Sequence, residues 1–128
     1  MTADLQMLVW SAALLLVQMV VAAAGAHGQL GLPALAGNRE DLPPVTGWAG
    51  RARRAHLNML ENLVVFAIVV LVAHAAGKAN AMTALGAALF FWARLAYAVL
   101  YVAGVPWLRT AAWAVSLAGM IMIFSQLF

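Results

Sequence analysis

The sequence predicts an all-α integral membrane protein, a four-helix bundle with up-down-up-down topology. Hydrophobic residues make up 66% of the 128 residues, whereas charged residues make up only 9%. A soluble domain of this size could not bury so much apolar surface, because small domains leave a large share of their surface exposed. A helix that crosses a bilayer needs about 20 apolar residues, so the chain has room for four spans and their connections.

The composition also excludes several kinds of site and partner. The chain has no cysteine, which excludes disulfides, a protein thiolate nucleophile and a cysteine-ligated metal. The three histidines are scattered without the spacing of metal ligands, so we expect no metal. The net charge of +3 does not indicate nucleic acid, because the basic residues form no solvated face with interleaved aromatic residues.

Four apolar stretches follow one another in what we expect to be a single membrane domain, residues 1–128. The spans are expected at about residues 5–27, 50–76, 81–103 and 107–127. Glycines and prolines between residues 27 and 50 predict one long loop, because these residues interrupt helices. Shorter breaks at Gly77 and around Pro106 separate the remaining spans.

The distribution of basic residues predicts the orientation in the membrane. Five arginines lie in the long loop, at the start of the second span and in the last connection: Arg39, Arg51, Arg53, Arg54 and Arg109. The opposite side carries only Lys78. Because lysine and arginine accumulate in cytoplasmic connections, we place the long loop in the cytoplasm and both termini on the opposite side.

A polar stripe runs along the start of the second span. It consists of Arg51, Arg54, Asn58 and Glu61, at spacings that place all four on one helix face. Polar groups within a span are costly and often functional. The alternative is that the arginines only set the orientation and that the Asn/Glu pair joins helices.

The third span carries a second polar group, formed by Arg94, Tyr97 and Tyr101 on one face. An uncompensated arginine at this depth costs at least about 2.5 kcal/mol, so we expect a carboxylate partner. Glu61 is the only acidic residue at a similar depth. The sequence therefore predicts an Arg94–Glu61 ion pair, within one protomer or between protomers, even if its role is only structural.

A third group opens the last span with Arg109, Thr110 and Trp113. A guanidinium at a helix N-terminus does not stabilise the helix, because the helix dipole is positive there. It would stabilise a bound anion. The alternative is an interfacial anchor, since arginine and tryptophan are common at membrane surfaces.

Together these three groups resemble the signature of the MAPEG family, the membrane-associated proteins in eicosanoid and glutathione metabolism. The second-span motif is the most specific part, Arg51-x-x-Arg54-Ala55-His56-x-Asn58-x-x-Glu61. It is followed by Arg94-x-x-Tyr97-x-x-x-Tyr101 and by Pro106-x-x-Arg109. The resemblance covers nearly the whole chain and is strongest to short bacterial members.

The resemblance implies a homotrimer that binds glutathione as a co-substrate between protomers, in a pocket open to the cytoplasm. It implies conjugation of glutathione to lipophilic electrophiles, reduction of lipid hydroperoxides or isomerisation of prostaglandin endoperoxides, and it suggests a bacterial inner membrane. Arg109 matches the arginine proposed to stabilise the glutathione thiolate. The matches to glutathione-binding residues are Arg51, Arg54, Asn58, Glu61, Arg94, Tyr97 and Tyr101, with Thr110 and Trp113 matching only across a gap near Pro106.

Two departures from the family pattern leave a second interpretation open. Leu57 stands where the prostaglandin synthase has another arginine, and no lysine or arginine precedes Arg39. The first interpretation is a glutathione-dependent membrane transferase or peroxidase that takes lipophilic substrates from the membrane lipids. The second is a non-catalytic membrane protein of the same fold that binds a lipid or another anionic small molecule. A small drug exporter is disfavoured, because its first span would carry an essential carboxylate.

Overall fold

A computed structural model describes residues 1–128 as five helices and no strands. Their bounds are Ala3–Leu30 (α1), Leu32–Ala36 (α2), Gly47–Ala75 (α3), Ala81–Ala103 (α4) and Pro106–Ser125 (α5). Four of them, α1, α3, α4 and α5, are long and apolar enough to cross a membrane. The prediction of an all-α four-helix membrane bundle is therefore confirmed.

Local sequence explains where α4 begins and ends. The Asn80 side chain accepts hydrogen bonds from the backbone N–H groups of Met82 and Thr83, and the Thr83 hydroxyl accepts one from the Asn80 backbone. This reciprocal arrangement caps the free N–H groups at the start of α4. The helix ends at Gly104, whose φ of 84° lies in the left-handed region that glycine adopts without strain.

The connection between α1 and α3 is more helical than the sequence predicts. α1 continues through Gly28 to Leu30, α3 already begins at Gly47, and the short α2 lies between them. A glycine inside a helix costs only about 1 kcal/mol, which packing and membrane insertion of the rest of α1 offset. The irregular loop is therefore limited to residues 37–46.

The two ends of the bundle are defined by side-chain contacts between distant parts of the chain. At one end, the Thr83 hydroxyl donates to Asp4 Oδ2 over 3.2 Å, and Lys78 Nζ donates to the Leu127 carbonyl over 2.8 Å. Both termini therefore share this end with the α3–α4 turn. At the other end, Arg51 Nε donates to the Val102 carbonyl over 3.0 Å, which brings the long loop close to the α4–α5 connection.

The interior is packed by aromatic stacking and by close helix contacts. Phe66 of α3 and Phe90 of α4 are fully buried, with ring centroids 3.9 Å apart and nearly parallel planes. Between α4 and α5, Gly86 and Gly119 face each other so closely that a Cβ on Gly119 would lie 2.5 Å from the Gly86 carbonyl oxygen. Small residues permit such close approach, which replaces the hydrophobic effect as a source of helix association in lipid.

Candidate functional site

Polar side chains from three helices surround a cavity of about 250 Å³. α3 contributes one residue, α4 contributes two aromatic residues one turn apart, and the first two turns of α5 contribute three. The lining residues are Asn58, Tyr97, Tyr101, Arg109, Thr110 and Trp113. The cavity therefore brings together side chains from all three polar groups of the sequence.

Arg94 lies beside this cavity and is the largest fully buried side chain of the protein, with 1% of its surface exposed. Its Nη2 donates to Asn58 Oδ1 over 2.7 Å, and its guanidinium carbon lies 4.1 Å from the centre of the Tyr97 ring. Its Nε and Nη1 have no hydrogen-bond partner within the chain. The buried charge is thus stabilised by an amide dipole and an aromatic face, not by a carboxylate.

The predicted Arg94–Glu61 ion pair is wrong within one chain. Glu61 is exposed on α3, whereas Asn58, three residues earlier, is half-buried and faces α4. The two positions lie on one broad face, but about 60° apart around the helix axis. The amide therefore reaches Arg94 while the carboxylate points outward, where lipid, solvent or another chain would meet it.

Asn62, which was not among the predicted site residues, holds Asn58 in place. Its Nδ2 donates to the Asn58 carbonyl over 2.8 Å and to Asn58 Oδ1 over 3.2 Å. Oδ1 of Asn58 therefore accepts from both Asn62 and Arg94. The spacing of four residues between two asparagines inside an apolar span was the available signal, because such residues are neighbours on a helix.

Arg109 forms the cationic wall of the cavity. Its guanidinium carbon lies 4.1 Å from the centre of the Tyr101 ring, and the rings of Tyr101 and Tyr97 meet edge to face with centroids 5.5 Å apart. The two tyrosines thus separate the guanidinium groups of Arg109 and Arg94. No acidic residue lines the cavity, so its electrostatic potential favours an anion.

Besides Arg94, three of the predicted site residues lie outside this cavity. Arg51 donates a hydrogen bond to the Val102 carbonyl in the last turn of α4, and it therefore joins α3 to α4. The Arg54 guanidinium carbon is 6.0 Å from the centre of the Tyr101 ring, beyond direct contact with the cavity. Glu61 is exposed and does not line it.

Comparison with known protein families agrees with the arrangement of the helices and the polar groups. A family model of the MAPEG family matches residues 7–128, nearly the whole chain. The chain therefore belongs to the MAPEG family. Searches of curated proteins and of solved structures gave no significant match.

Proposed function

We propose that the protein is a glutathione-dependent membrane transferase or peroxidase that acts on lipophilic electrophiles or lipid hydroperoxides. The observation that carries this proposal is Arg109, a guanidinium on the wall of a cavity without acidic residues. A positive charge placed there stabilises a thiolate and lowers the thiol pKa from about 8.5. Membership of the MAPEG family makes glutathione the thiol to test.

The remaining cavity residues suit the rest of the ligand. Thr110 is exposed, and its hydroxyl donates to the Pro106 carbonyl over 3.1 Å while retaining lone pairs for a donor. Asn58 and Tyr101 provide further polar groups, and Trp113 provides an apolar surface. Arg54, at the edge, would reach a carboxylate of a tripeptide that extends beyond the cavity.

The chemistry follows from formation of the thiolate. In conjugation, its sulfur attacks the electrophilic carbon, a C–S bond forms, and the leaving group departs with its electron pair. In peroxide reduction, sulfur attacks one peroxide oxygen and the alkoxide leaves and is protonated. A second glutathione then displaces water from the sulfenic acid and forms the disulfide. Oriented binding accelerates both reactions by bringing thiolate and substrate together.

We propose in addition that the enzyme is a homotrimer in a bacterial inner membrane, with glutathione bound between protomers. The small volume of the cavity supports a site that a neighbouring chain completes. The exposed Glu61 is then available to the ammonium group of glutathione or to the neighbouring protomer. The exposed arginines at this end of the bundle, Arg39 in the loop and Arg53 and Arg54 in α3, support a cytoplasmic position for it.

Calorimetry on the purified protein in a neutral detergent tests the proposal. Glutathione should bind saturably and release protons, measured by comparing buffers of different ionisation enthalpy. S-methylglutathione is the matched control, because it should bind without releasing a proton from sulfur. Absence of saturable glutathione binding at millimolar concentrations would contradict the proposed function.

One observation favours the non-catalytic alternative. No carboxylate lines the cavity, so within one chain nothing there pairs with the glutathione ammonium. A simple organic anion, such as a fatty acid, would require only Arg109 and an apolar wall. Saturable binding of a fatty acid together with no heat from glutathione would establish this alternative.

A further inference from the structure

A second and larger cavity lies where α1 ends and α3 begins. Its volume is about 490 Å³, and it is bounded by the end of α1, by α2, by the loop that follows and by the first turns of α3. Its lining includes three leucines, Leu30, Leu35 and Leu42, and three arginines, Arg39, Arg53 and Arg54. The catalytic proposal uses neither Arg39 nor Arg53.

The loop that forms one wall is fastened to α1 at the residue before α3. The Gln29 side chain donates to the Thr46 carbonyl over 2.7 Å and accepts from the Thr46 backbone N–H over 2.9 Å. This pair of bonds joins the end of α1 to the residue before α3, and Pro43 and Pro44 stiffen the segment between. The wall of the cavity next to α3 is therefore held to the end of α1 by these two hydrogen bonds.

The arginines of the cavity have no carboxylate beside them among its lining residues. Nε of Arg39 donates to the Leu35 carbonyl over 2.7 Å, which leaves its terminal nitrogens for an external acceptor. Arg39 is also the only residue other than glycine with a positive φ, 60°. The neighbouring Glu40 and Asp41 are exposed and do not line the cavity. The cavity is thus lined by three arginines and by no acidic residue, so it favours an anion.

The position of the cavity identifies the class of ligand. Its walls are the adjacent ends of two spanning helices, so the cavity lies at the level of the lipid headgroups. Basic pockets between helix ends bind the phosphates of anionic lipids, and guanidinium groups bind phosphate oxygens bidentately. The leucines that also line the cavity fit the apolar part of a lipid, which a soluble phosphate lacks.

We propose that the cavity between α1, α2 and the start of α3 binds an anionic phospholipid, with its phosphate at Arg39 and Arg53 and its acyl region against the leucines. The proposal is independent of glutathione chemistry. Arg54 borders both cavities, since it also lies 6.0 Å from the Tyr101 ring. The test therefore leaves Arg54 unchanged.

Native mass spectrometry of delipidated protein tests this site with phosphatidylglycerol and phosphatidylcholine of identical acyl chains. We expect phosphatidylglycerol to be retained at least tenfold more tightly, by charge attraction. Arg39→Gln/Arg53→Gln should weaken its binding by about 30-fold and leave phosphatidylcholine unchanged. Lys78→Gln, which removes a positive charge at the opposite end of the bundle, should have no effect.

Two further measurements make the result decisive. Arg39→Lys/Arg53→Lys keeps the charge and should retain most of the phosphatidylglycerol binding, which excludes misfolding as the cause of the loss. Excess sn-glycerol 3-phosphate should not displace the lipid, because it lacks the acyl region. Equal retention of both lipids, wild-type binding by the Gln double variant, or displacement by sn-glycerol 3-phosphate would each overturn the proposal.

Discussion

Arg94 is a buried cation that lacks a carboxylate partner within its own chain. A hydrogen bond to Asn58 Oδ1 and the face of the Tyr97 ring compensate part of its desolvation. A charged hydrogen bond contributes about 1.5–3 kcal/mol, and a desolvated cation–π contact contributes about 2 kcal/mol. These contributions are comparable to the roughly 2.5–3.5 kcal/mol cost of inserting an arginine into a membrane. Asn58 and Tyr97 therefore perform the task that the sequence analysis assigned to Glu61.

The first prediction is that Asn58→Leu destabilises the protein more than Glu61→Gln does. Leucine leaves the buried guanidinium without its acceptor, which should cost about 1–3 kcal/mol. Glu61→Gln changes an exposed side chain without a partner in the chain and should leave the melting temperature nearly unchanged. Thermal unfolding in detergent, followed by circular dichroism, compares the two variants. A larger loss in Glu61→Gln would show that Glu61 pairs across a protomer contact and would contradict the prediction.

The second prediction concerns Arg109 and rests on the proposed function. Arg109→Ala should raise the pKa of the bound glutathione thiol and lower turnover by about 10²-fold or more, because a preorganised charge is lost. Affinity should fall much less. Ultraviolet thiolate absorbance against pH and conjugation kinetics with an aryl halide measure these effects.

Arg54→Ala is the matched comparison for Arg109→Ala. It should mainly weaken glutathione binding, as expected for a contact that is equally strong in ground and transition states. Unchanged thiolate titration and turnover in Arg109→Ala would reduce Arg109 to an interfacial anchor.

At the scale of the helix, the contact between α4 and α5 depends on a pair of glycines. A Cβ on Gly86 would lie 2.6 Å from the Gly119 carbonyl oxygen, so both positions exclude a side chain. The obstructing atoms belong to the backbone, and a rotamer change cannot move them. α5 carries Arg109 in its first turn, so this contact also determines where the guanidinium lies relative to α4.

The third prediction is that Gly119→Val lowers the melting temperature and distorts the cavity. Valine would force α4 and α5 apart, and overpacking typically costs about 1–3 kcal/mol. Gly28→Ala is the matched control, because beyond the adjacent backbone of α1 no atom lies within 4 Å of a Cβ at that position. Alanine there should be neutral or stabilising, since it improves helix propensity by about 1 kcal/mol. Equal melting temperatures for the two variants would contradict the close-packing argument.

At the scale of the whole molecule, both termini and Lys78 lie at one end of the bundle, and the long loop lies at the other. The exposed Arg39, Arg53 and Arg54 belong to the loop end. The two proposed cavities both lie near this end. The start of α3 lines the proposed lipid cavity, and the start of α5 lines the proposed glutathione cavity. The side of the membrane on which this end lies therefore decides which pool of soluble ligands it meets.

The fourth prediction is that the loop end faces the cytoplasm. The chain has no cysteine, so single cysteines report position without background labelling. Gly37→Cys should react with a membrane-impermeant maleimide only after the cells are permeabilised. Ala79→Cys, in the exposed turn at the opposite end, should react in intact cells. The reverse pattern would invert the orientation that the arginines indicate.

The sequence by itself determined the class of fold. The chain has four apolar stretches of membrane length, separated by turn residues. Such stretches favour spanning helices over other folds, because a helix provides hydrogen bonds for all of its backbone polar groups in lipid. The spacings of three and four residues likewise predicted that Arg94, Tyr97 and Tyr101 share a face, and the structure places Tyr97 and Tyr101 on one cavity. These features are local, so a single helix is enough to establish them.

Only the tertiary structure decided which side chains meet. Helical spacing did not reveal that Asn58 rather than Glu61 reaches Arg94, since this depends on the rotation of α3 against α4. It also did not reveal that Arg51 donates a hydrogen bond to the Val102 carbonyl. Nor did it reveal that Arg39 from the loop and Arg53 from α3 line the same second cavity. Contacts between residues far apart in the chain follow from how helices pack, and packing depends on shape at distances of a few ångströms, which periodicity does not encode.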